Sequence, residues 1–132
     1  MKILIVEDDY ASRIYMEKVF GQLGDLDVAE NGVKALELIA RQMVEGSGYE
    51  VVCLDIMMPK VDGIEVLKKI RLLEAEHQVL PQDRAIILMT SAICDEETMD
   101  QAFQYGCNHY ITKPIALEEL ERIFVEVGLI TE

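Results

Sequence analysis

Five short apolar segments alternate with five stretches of helical periodicity along this chain, and that alternation restricts it to one class of fold. The apolar runs at 2–6, 51–54 and 85–89 lack the period-2 pattern of a half-exposed strand, so we expect strands buried on both faces. Shorter runs at 26–29 and 109–112 fit edge strands. Strands buried on both faces are typical of parallel sheets that helices cover on each side.

Apolar residues recur at helical spacing between these runs and predict five amphipathic helices. The five stripes are Met16, Val19, Phe20 and Leu23; Leu36, Ile39, Ala40 and Met43; Val66, Leu67, Ile70 and Leu73; Met99, Ala102 and Phe103; and Leu117, Leu120, Phe124 and Val127. The alternation predicts a doubly wound (βα)5 fold of the α/β class, with one domain over residues 1–132. The segment from Glu74 to Arg84 is longer than this layout needs, and we expect a surface excursion there.

Charge limits the kinds of partner. The chain carries 25 acidic and 12 basic residues, a formal net charge of −13. Nucleic acid and anionic membranes are bound through Lys and Arg, so we expect neither as a partner and favour proteins or cations. No apolar stretch approaches the roughly 18 residues of a membrane span, and the first run is too short for a signal peptide, so a cytoplasmic location is expected. Cys53, Cys94 and Cys107 lack metal-site spacing and are interpreted as small buried hydrophobes.

Charged residues follow three of the apolar runs. Glu7 and Asp8 come after the first run, Asp55 after the run at 51–54, and Lys113 after the last. Because ligands of such folds bind outside the carboxyl ends of the strands, these side chains are expected to share one pocket. Converging carboxylates repel one another, and Mg²⁺ would relieve that repulsion. Asp55 is then the best-placed nucleophile toward phosphate, and Lys113 supplies a cation for the phosphoryl group.

Three polar residues near these strand ends have more than one interpretation. A hydroxyl at the end of the fourth strand, from Ser91 or Thr90, could hydrogen-bond a phosphoryl oxygen or satisfy nearby backbone. Asp9 is interpreted as an exposed residue or as the N-cap that opens the first helix.

With these residues in view, the chain resembles the receiver domains of two-component response regulators. The resemblance rests on five motifs in the family's order: ILIVEDD at 3–9, LDIMMP at 54–59, Asp62-Gly63, MTSA at 89–92 and YITKP at 110–114. It covers essentially the whole chain. It implies a flavodoxin-like fold with a five-stranded parallel sheet of order 2-1-3-4-5.

The resemblance implies a role for each charged site residue. Asp55 matches the phosphoacceptor, which takes a phosphoryl group from the phosphohistidine of a sensor histidine kinase or a phosphotransfer protein. Asp8 matches a direct Mg²⁺ ligand, Glu7 a ligand that acts partly through water, and the backbone carbonyl of Met57 a further ligand. Lys113 matches the lysine that contacts phosphate, and the Lys113–Pro114 peptide bond is expected to be cis.

The resemblance also implies a switch. Ser91 lies 22 positions before Lys113, the spacing of the family's switch hydroxyl, so Ser91 is preferred to Thr90. Tyr110 matches the aromatic residue whose position reports activation. Phosphorylation is expected to alter the surface of the fourth helix, fifth strand and fifth helix, roughly residues 95–127. That surface would bind a downstream protein target or mediate homodimerisation.

Two apolar positions bear on the lifetime of the phosphorylated state. In the family, the side chains two residues after the phosphoacceptor and two after the switch hydroxyl control access of water to the phosphate. Here they are Met57 and Ile93, neither of which can orient water. This predicts slow self-dephosphorylation.

Because the chain ends shortly after its fifth helical stripe, we expect a stand-alone receiver without an output domain, a switch rather than an enzyme. One alternative is a pseudo-receiver that binds without phosphorylation, which the intact acid pair, Asp55 and Lys113 argue against. A second is a phosphatase or phosphotransferase of related topology, which would commonly carry an acid at the position of Met57. A third is a flavin or nucleotide binder, whose phosphate the acids at 7–9 would repel.

Overall fold

The computed structural model describes residues 1–46, 48–58, 62–92 and 95–131, and within them the chain alternates strictly between strand and helix. The strands are β1 (Lys2–Val6), β2 (Asp25–Ala29), β3 (Val51–Asp55), β4 (Ile86–Ser91) and β5 (His109–Thr112). The helices are α1 (Tyr10–Phe20), α2 (Gly32–Glu45), α3 (Gly63–Glu76), α4 (Glu96–Gln104) and α5 (Leu117–Glu126). The strands form one parallel sheet of order β2-β1-β3-β4-β5, which confirms the predicted fold.

Each face of the sheet carries its own apolar core, because neighbouring residues of a strand point to opposite faces. On one face, strand residues such as Leu4, Val52 and Ile87 pack with residues of α2, α3 and α4. On the other, Ile5 and Leu88 belong to the core formed with α1 and α5. The three central strands are therefore buried on both sides, as their uninterrupted apolar runs predict.

Most residues of the predicted helical stripes belong to these cores, and Phe103 departs most clearly from the prediction. Phe103 was expected to pack inward from α4, but its side chain is 47% exposed, and Ala102 is the fully buried residue of that helix. At nine residues α4 is short. The contact between α4 and the core therefore accommodates one small buried side chain. Helical spacing alone does not predict how many side chains of a helix become buried.

The expected surface excursion at 74–84 is partly wrong. Helix α3 continues to Glu76, and a single 3-10 turn follows at Pro81–Asp83. Glu74 is only 2% exposed, because its carboxylate accepts hydrogen bonds from Arg71 (2.7 Å) and from the backbone N–H of Ala85 (2.8 Å). The excursion therefore begins after a buried ion pair that joins α3 to the entry of β4.

The start of α3 is held close to the end of β3 by a glycine. Asp62 caps the helix by accepting a hydrogen bond from the N–H of Glu65 (3.0 Å). The N–H of Gly63 donates to the carbonyl of Ile56 (2.9 Å), and a Cβ at Gly63 would collide with the carbonyl oxygen of Asp55. Only glycine permits this approach, which brings the helix against the strand end that carries Asp55.

Among the described residues, no helix combines the length and the apolar character needed to cross a membrane. Cys53 and Cys107 are buried free cysteines, as expected, while Cys94 lies outside the described residues. Burial raises the pKa of both described thiols, to about 11 for Cys107, so neither is an activated nucleophile.

Candidate functional site

Three predicted acids meet at the carboxyl edge of the sheet. Val6 of β1 is paired with Leu54 of β3, so the next residues, Glu7 and Asp55, lie side by side at this edge of the sheet. Carboxylate oxygens of Glu7, Asp8 and Asp55 all lie within 4.8 Å of one another. Glu7 and Asp55 are buried, whereas Asp8 is partly exposed at the rim. The predicted convergence is therefore present.

Lys113 reaches into this cluster from the loop after β5. Its Nζ lies 2.6 Å from Oε1 of Glu7 and 3.5 Å from Oδ2 of Asp55, so the ammonium contacts both carboxylates and is closer to Glu7. The backbone N–H of Lys113 donates to the carbonyl of Ser91 (2.8 Å), which fixes the loop against β4. The Lys113–Pro114 peptide bond is cis, as expected.

The environment opposes ionisation of Glu7. Burial raises the pKa of Glu7 to about 7, and the adjacent Asp55 carboxyl reinforces that rise through hydrogen bonding and repulsion, while Lys113 opposes it. Burial alone would lower the pKa of Lys113, but the hydrogen bond to Glu7 and the charges of both carboxylates raise it. The ammonium of Lys113 contacts two of the three acids, and the cluster has excess negative charge whenever all three are ionised.

The donor set fits a hard divalent cation. All three side chains offer oxygen, the ligand type that Mg²⁺ prefers. Among the described residues, Oε2 of Glu7 is buried and has no hydrogen-bond partner. A buried carboxylate oxygen without a partner is costly, and a cation would remove that cost. Mg²⁺ is therefore chemically compatible with this cluster.

Met57 lies at the rim, where its backbone N–H donates to Oδ1 of Asp55 (3.2 Å) and its side chain is 61% exposed. This hydrogen bond orients the Asp55 carboxylate. The predicted use of the Met57 carbonyl as a metal ligand stays a prediction, and Ile93 lies outside the described residues.

Both candidate hydroxyl residues are buried at the end of β4. Thr90 is the register partner of Asp55, and its Oγ1 has no hydrogen-bond partner among the described residues. Ser91 follows it and is paired with Thr112 of β5. Tyr110 is half-buried and packs against the core on the α2, α3 and α4 face. Which hydroxyl acts as the switch residue stays a prediction.

Two residues of α1 near the site were missed by sequence reasoning. Arg13 donates from Nη1 to the carbonyl of Glu7 (3.3 Å) and lies over the ring of Tyr10, 5.5 Å from its centroid. The hydroxyl of Tyr15 donates to the carbonyl of Ile115 (2.6 Å), which ties α1 to the loop that carries Lys113. No sequence signal identifies contacts between a side chain and a distant backbone carbonyl.

The family model described as "Response regulator receiver domain" matches residues 3–124. The chain belongs to this family, the receiver domains of two-component phosphorelay signalling. The membership agrees with the motifs at the ends of β1, β3, β4 and β5, with the Asp62-Gly63 motif at the start of α3, and with the topology of the sheet.

Individual relatives include receiver domains of both kinases and response regulators. The chain is 33% identical over 127 residues to the peroxide stress-activated histidine kinase mak3 of Schizosaccharomyces pombe, covering 95% of this chain and 5% of the kinase. It is 28% identical, with a TM-score of 0.80, to the receiver domain of Ssk1 in its co-crystal structure with the phosphotransfer protein Ypd1 of Saccharomyces cerevisiae, covering 97% of this chain and 88% of that one. The receiver domain of the Pseudomonas aeruginosa sensor kinase PA1611, with magnesium in its active-site cleft, is 26% identical with a TM-score of 0.77 and coverage of 96% and 97%.

The curated relatives are much longer than this chain, which spans 5% of the kinase mak3 and 47% of a related response regulator. The similarity therefore concerns the receiver domain alone.

Proposed function

We propose that this domain is a phosphoacceptor switch that takes a phosphoryl group from a phosphohistidine onto Asp55 in the presence of Mg²⁺. The observation that carries the proposal is the placement of the Asp55 carboxylate beside two further acids and 3.5 Å from the ammonium of Lys113. A carboxylate in that setting combines a nucleophile with groups that bind a cation and a phosphoryl oxygen. The magnesium-containing PA1611 receiver supports the choice of ion.

In the proposed reaction, a carboxylate oxygen of Asp55 forms a bond to phosphorus while the bond between phosphorus and the donor's histidine nitrogen breaks. The electron pair of that bond stays with the imidazole. Glu7, Asp8, Asp55 and the Met57 carbonyl would hold Mg²⁺, which supplies charge neutralisation for the phosphoryl oxygens. Met57 orients Asp55 through its N–H, and Lys113 provides the cation that meets the product phosphate. Hydrolysis of the aspartyl phosphate would end the signal, so the domain acts only on itself.

The phosphoryl group would then drive the switch. It adds negative charge and acceptor oxygens beside the buried end of β4. Ser91, or Thr90 as second choice, would donate to one of these oxygens, and Tyr110 would pack inward behind it. The population of conformations of the α4–β5–α5 surface would shift accordingly. The exposed Phe103 offers that surface an apolar contact for a downstream protein, and homodimerisation through it remains a prediction.

The proposed donor is a sensor histidine kinase or a phosphotransfer protein. The Ssk1 receiver, which shares this fold and 28% of its residues, is known in complex with such a phosphotransfer protein. Around the mouth of the site, Tyr10 and Met57 are strongly exposed and Tyr15 is partly so. Exposed apolar groups at a site mouth suit contact with a protein donor. A cytoplasmic location remains a prediction.

The decisive experiment compares wild-type protein with Asp55→Asn during incubation with Mg²⁺ and acetyl phosphate. Intact mass should increase by one phosphoryl group in the wild type only, and chelation of Mg²⁺ should prevent the increase. Asp9→Asn is a matched control, because Asn replaces the cap of α1 equally well and leaves the three-acid cluster intact. Beryllofluoride should shift the NMR resonances of Tyr110 in the wild type. Folded protein that gains no mass and shows no shift would instead be a pseudo-receiver.

A further inference from the structure

A cavity of about 160 Å³ lies between α2 and α3, at the end of the sheet opposite Asp55. Its floor is apolar and consists of Ile39, Val52 and Ile70, all nearly completely buried. Val79 and Ala85, from the segment that follows α3, form another part of its wall. The cavity shares no lining residue with the cluster of Glu7, Asp8 and Asp55, so the phosphoryl chemistry proposed above does not use it.

This cavity opens to the surface, because His77 and Asp83 of its wall are exposed. Its volume is close to that of an apolar cavity of roughly 150 Å³ that binds benzene in another protein. A cavity of this size therefore suits a single aromatic ring or a short aliphatic chain.

The polar groups of the wall mainly accept hydrogen bonds. Nδ1 of His77 lies 2.9 Å from the carbonyl of Leu73, and because a carbonyl only accepts, Nδ1 carries the proton. In the neutral ring, Nε2 is then an acceptor. Glu74 and Asp83 also line the wall, and no Lys or Arg is among the described residues that do so. Glu74 is already paired with Arg71, which leaves Asp83, on the exposed side, as the carboxylate that can take a new partner.

We propose that this cavity is a binding site for a small amine, with an aromatic ring or short alkyl chain on the apolar floor and an ammonium group beside Asp83 and His77. The floor excludes strongly polar ligands, and the acceptors and negative charge of the wall favour a cation over an anion. The site is independent of the proposed phosphorylation, since its lining lies at the other end of the strands.

The test is an NMR titration of full-length protein with three probes: benzylammonium, toluene and benzoate. Benzylammonium should cause saturable shifts of the Gly48, Tyr49 and Val79 amides, with a Kd of about 1 mM or tighter. Benzoate should bind at least about tenfold more weakly. Asp83→Asn should weaken benzylammonium about two- to fivefold, the effect of one exposed ion pair, and leave toluene unchanged.

Occupation of the cavity itself is tested by Val52→Leu, which fills the floor and should abolish the shifts with benzylammonium and toluene alike. If that variant does not fold, His77→Ala provides the second test, because this exposed residue can be removed without disturbing the core. It should weaken benzylammonium and spare toluene. Absence of saturable shifts, or binding of benzoate or toluene as tight as that of benzylammonium, would overturn the proposal. Asp55→Asn should titrate as the wild type does, so failure of phosphorylation and failure of this site are separate results.

Discussion

Replacing Glu7 with Gln should make the metal-free domain more stable at neutral and alkaline pH, although it removes the partner of Lys113. The side chain of Glu7 is completely buried, and its pKa rises from 4.5 to about 7 because of burial and the neighbouring Asp55. An acid whose pKa is higher in the folded state binds its proton more tightly there than in the unfolded chain. Its favourable contribution is therefore complete below about pH 4.5 and is lost as pH rises through about 7.

The size of the effect follows from this shift in pKa. Each unit corresponds to about 1.4 kcal/mol, so full ionisation of Glu7 costs the folded state about 3 kcal/mol. Between about pH 5 and pH 8, wild-type protein should lose about 2–3 kcal/mol of unfolding free energy that the Glu7→Gln variant retains. The pKa of Lys113 is raised, so its contribution is lost only at pH values well above this window.

Urea unfolding of both proteins across this pH range, in the presence of a chelator, measures the difference directly. Glu37→Gln, a change at an exposed residue of α2, is the matched control and should follow the wild type. Mg²⁺ should restore much of the lost stability to the wild type at pH 8 and little to Glu7→Gln, because binding to the folded state alone is stabilising. If the unfolding free energies of the wild type and Glu7→Gln changed with pH in parallel, the argument that burial raises the pKa of Glu7 would be refuted.

Further predictions concern the phosphoryl site and the frame around it. Lys113→Met should slow phosphorylation by acetyl phosphate at least about tenfold by intact mass, since a hydrogen bond to a charged group contributes about 1.5–3 kcal/mol. Met57→Asn should speed decay of the phosphorylated protein, measured by the same method, because Asn can orient water and Met cannot. Glu74→Gln should cost about 3–5 kcal/mol in urea unfolding, since it leaves the largely buried Arg71 without its ion-pair partner. Asp62→Ala should cost about 1 kcal/mol by removing the cap of α3, and Asp62→Asn should cost almost nothing in the same assay.

The sequence predicted the alternation of strands and helices and the convergence of acids because both depend on local patterns, whereas the strand order was implied only by the resemblance to receiver domains. Buried strands are recognisable as uninterrupted apolar runs, and the residue that follows each run reaches the same edge of the sheet. The strand ends were predicted less accurately, because β4 extends through Thr90 and Ser91, beyond its apolar run at 85–89. Pairing with β3 and β5 through the backbone sets that end, and backbone pairing does not depend on hydrophobicity.

The buried ion pair between Arg71 and Glu74 could not be predicted from local sequence patterns. Arg71 and Glu74 stand three residues apart on a helix, which is the usual pattern of a solvent-exposed salt bridge. Here the guanidinium also donates to the carbonyls of Ala85 and Gly106 and to the side chain of Asn108. These partners come from segments 14 to 37 positions further along the chain. Burial of the pair therefore depends on tertiary contacts that no helical pattern encodes.

The position of Lys113 connects the energetic cost of the buried Glu7 charge with the proposed phosphorylation of Asp55. In the present form its ammonium is closer to Glu7 (2.6 Å) than to Asp55 (3.5 Å), so it mainly offsets the buried charge of Glu7. A phosphoryl group on Asp55 adds a charge of about −1.5 to −2, which would attract the same ammonium. Since one lysine cannot fully neutralise both groups, its movement toward the phosphate would leave Glu7 dependent on Mg²⁺ or on a proton. We infer that metal binding, protonation of Glu7 and the movement of Lys113 are coupled. In Glu7→Gln, Lys113 should therefore approach a beryllofluoride adduct without this competition, whereas the loss of one Mg²⁺ ligand should raise the Mg²⁺ concentration at which the adduct forms above that of the wild type.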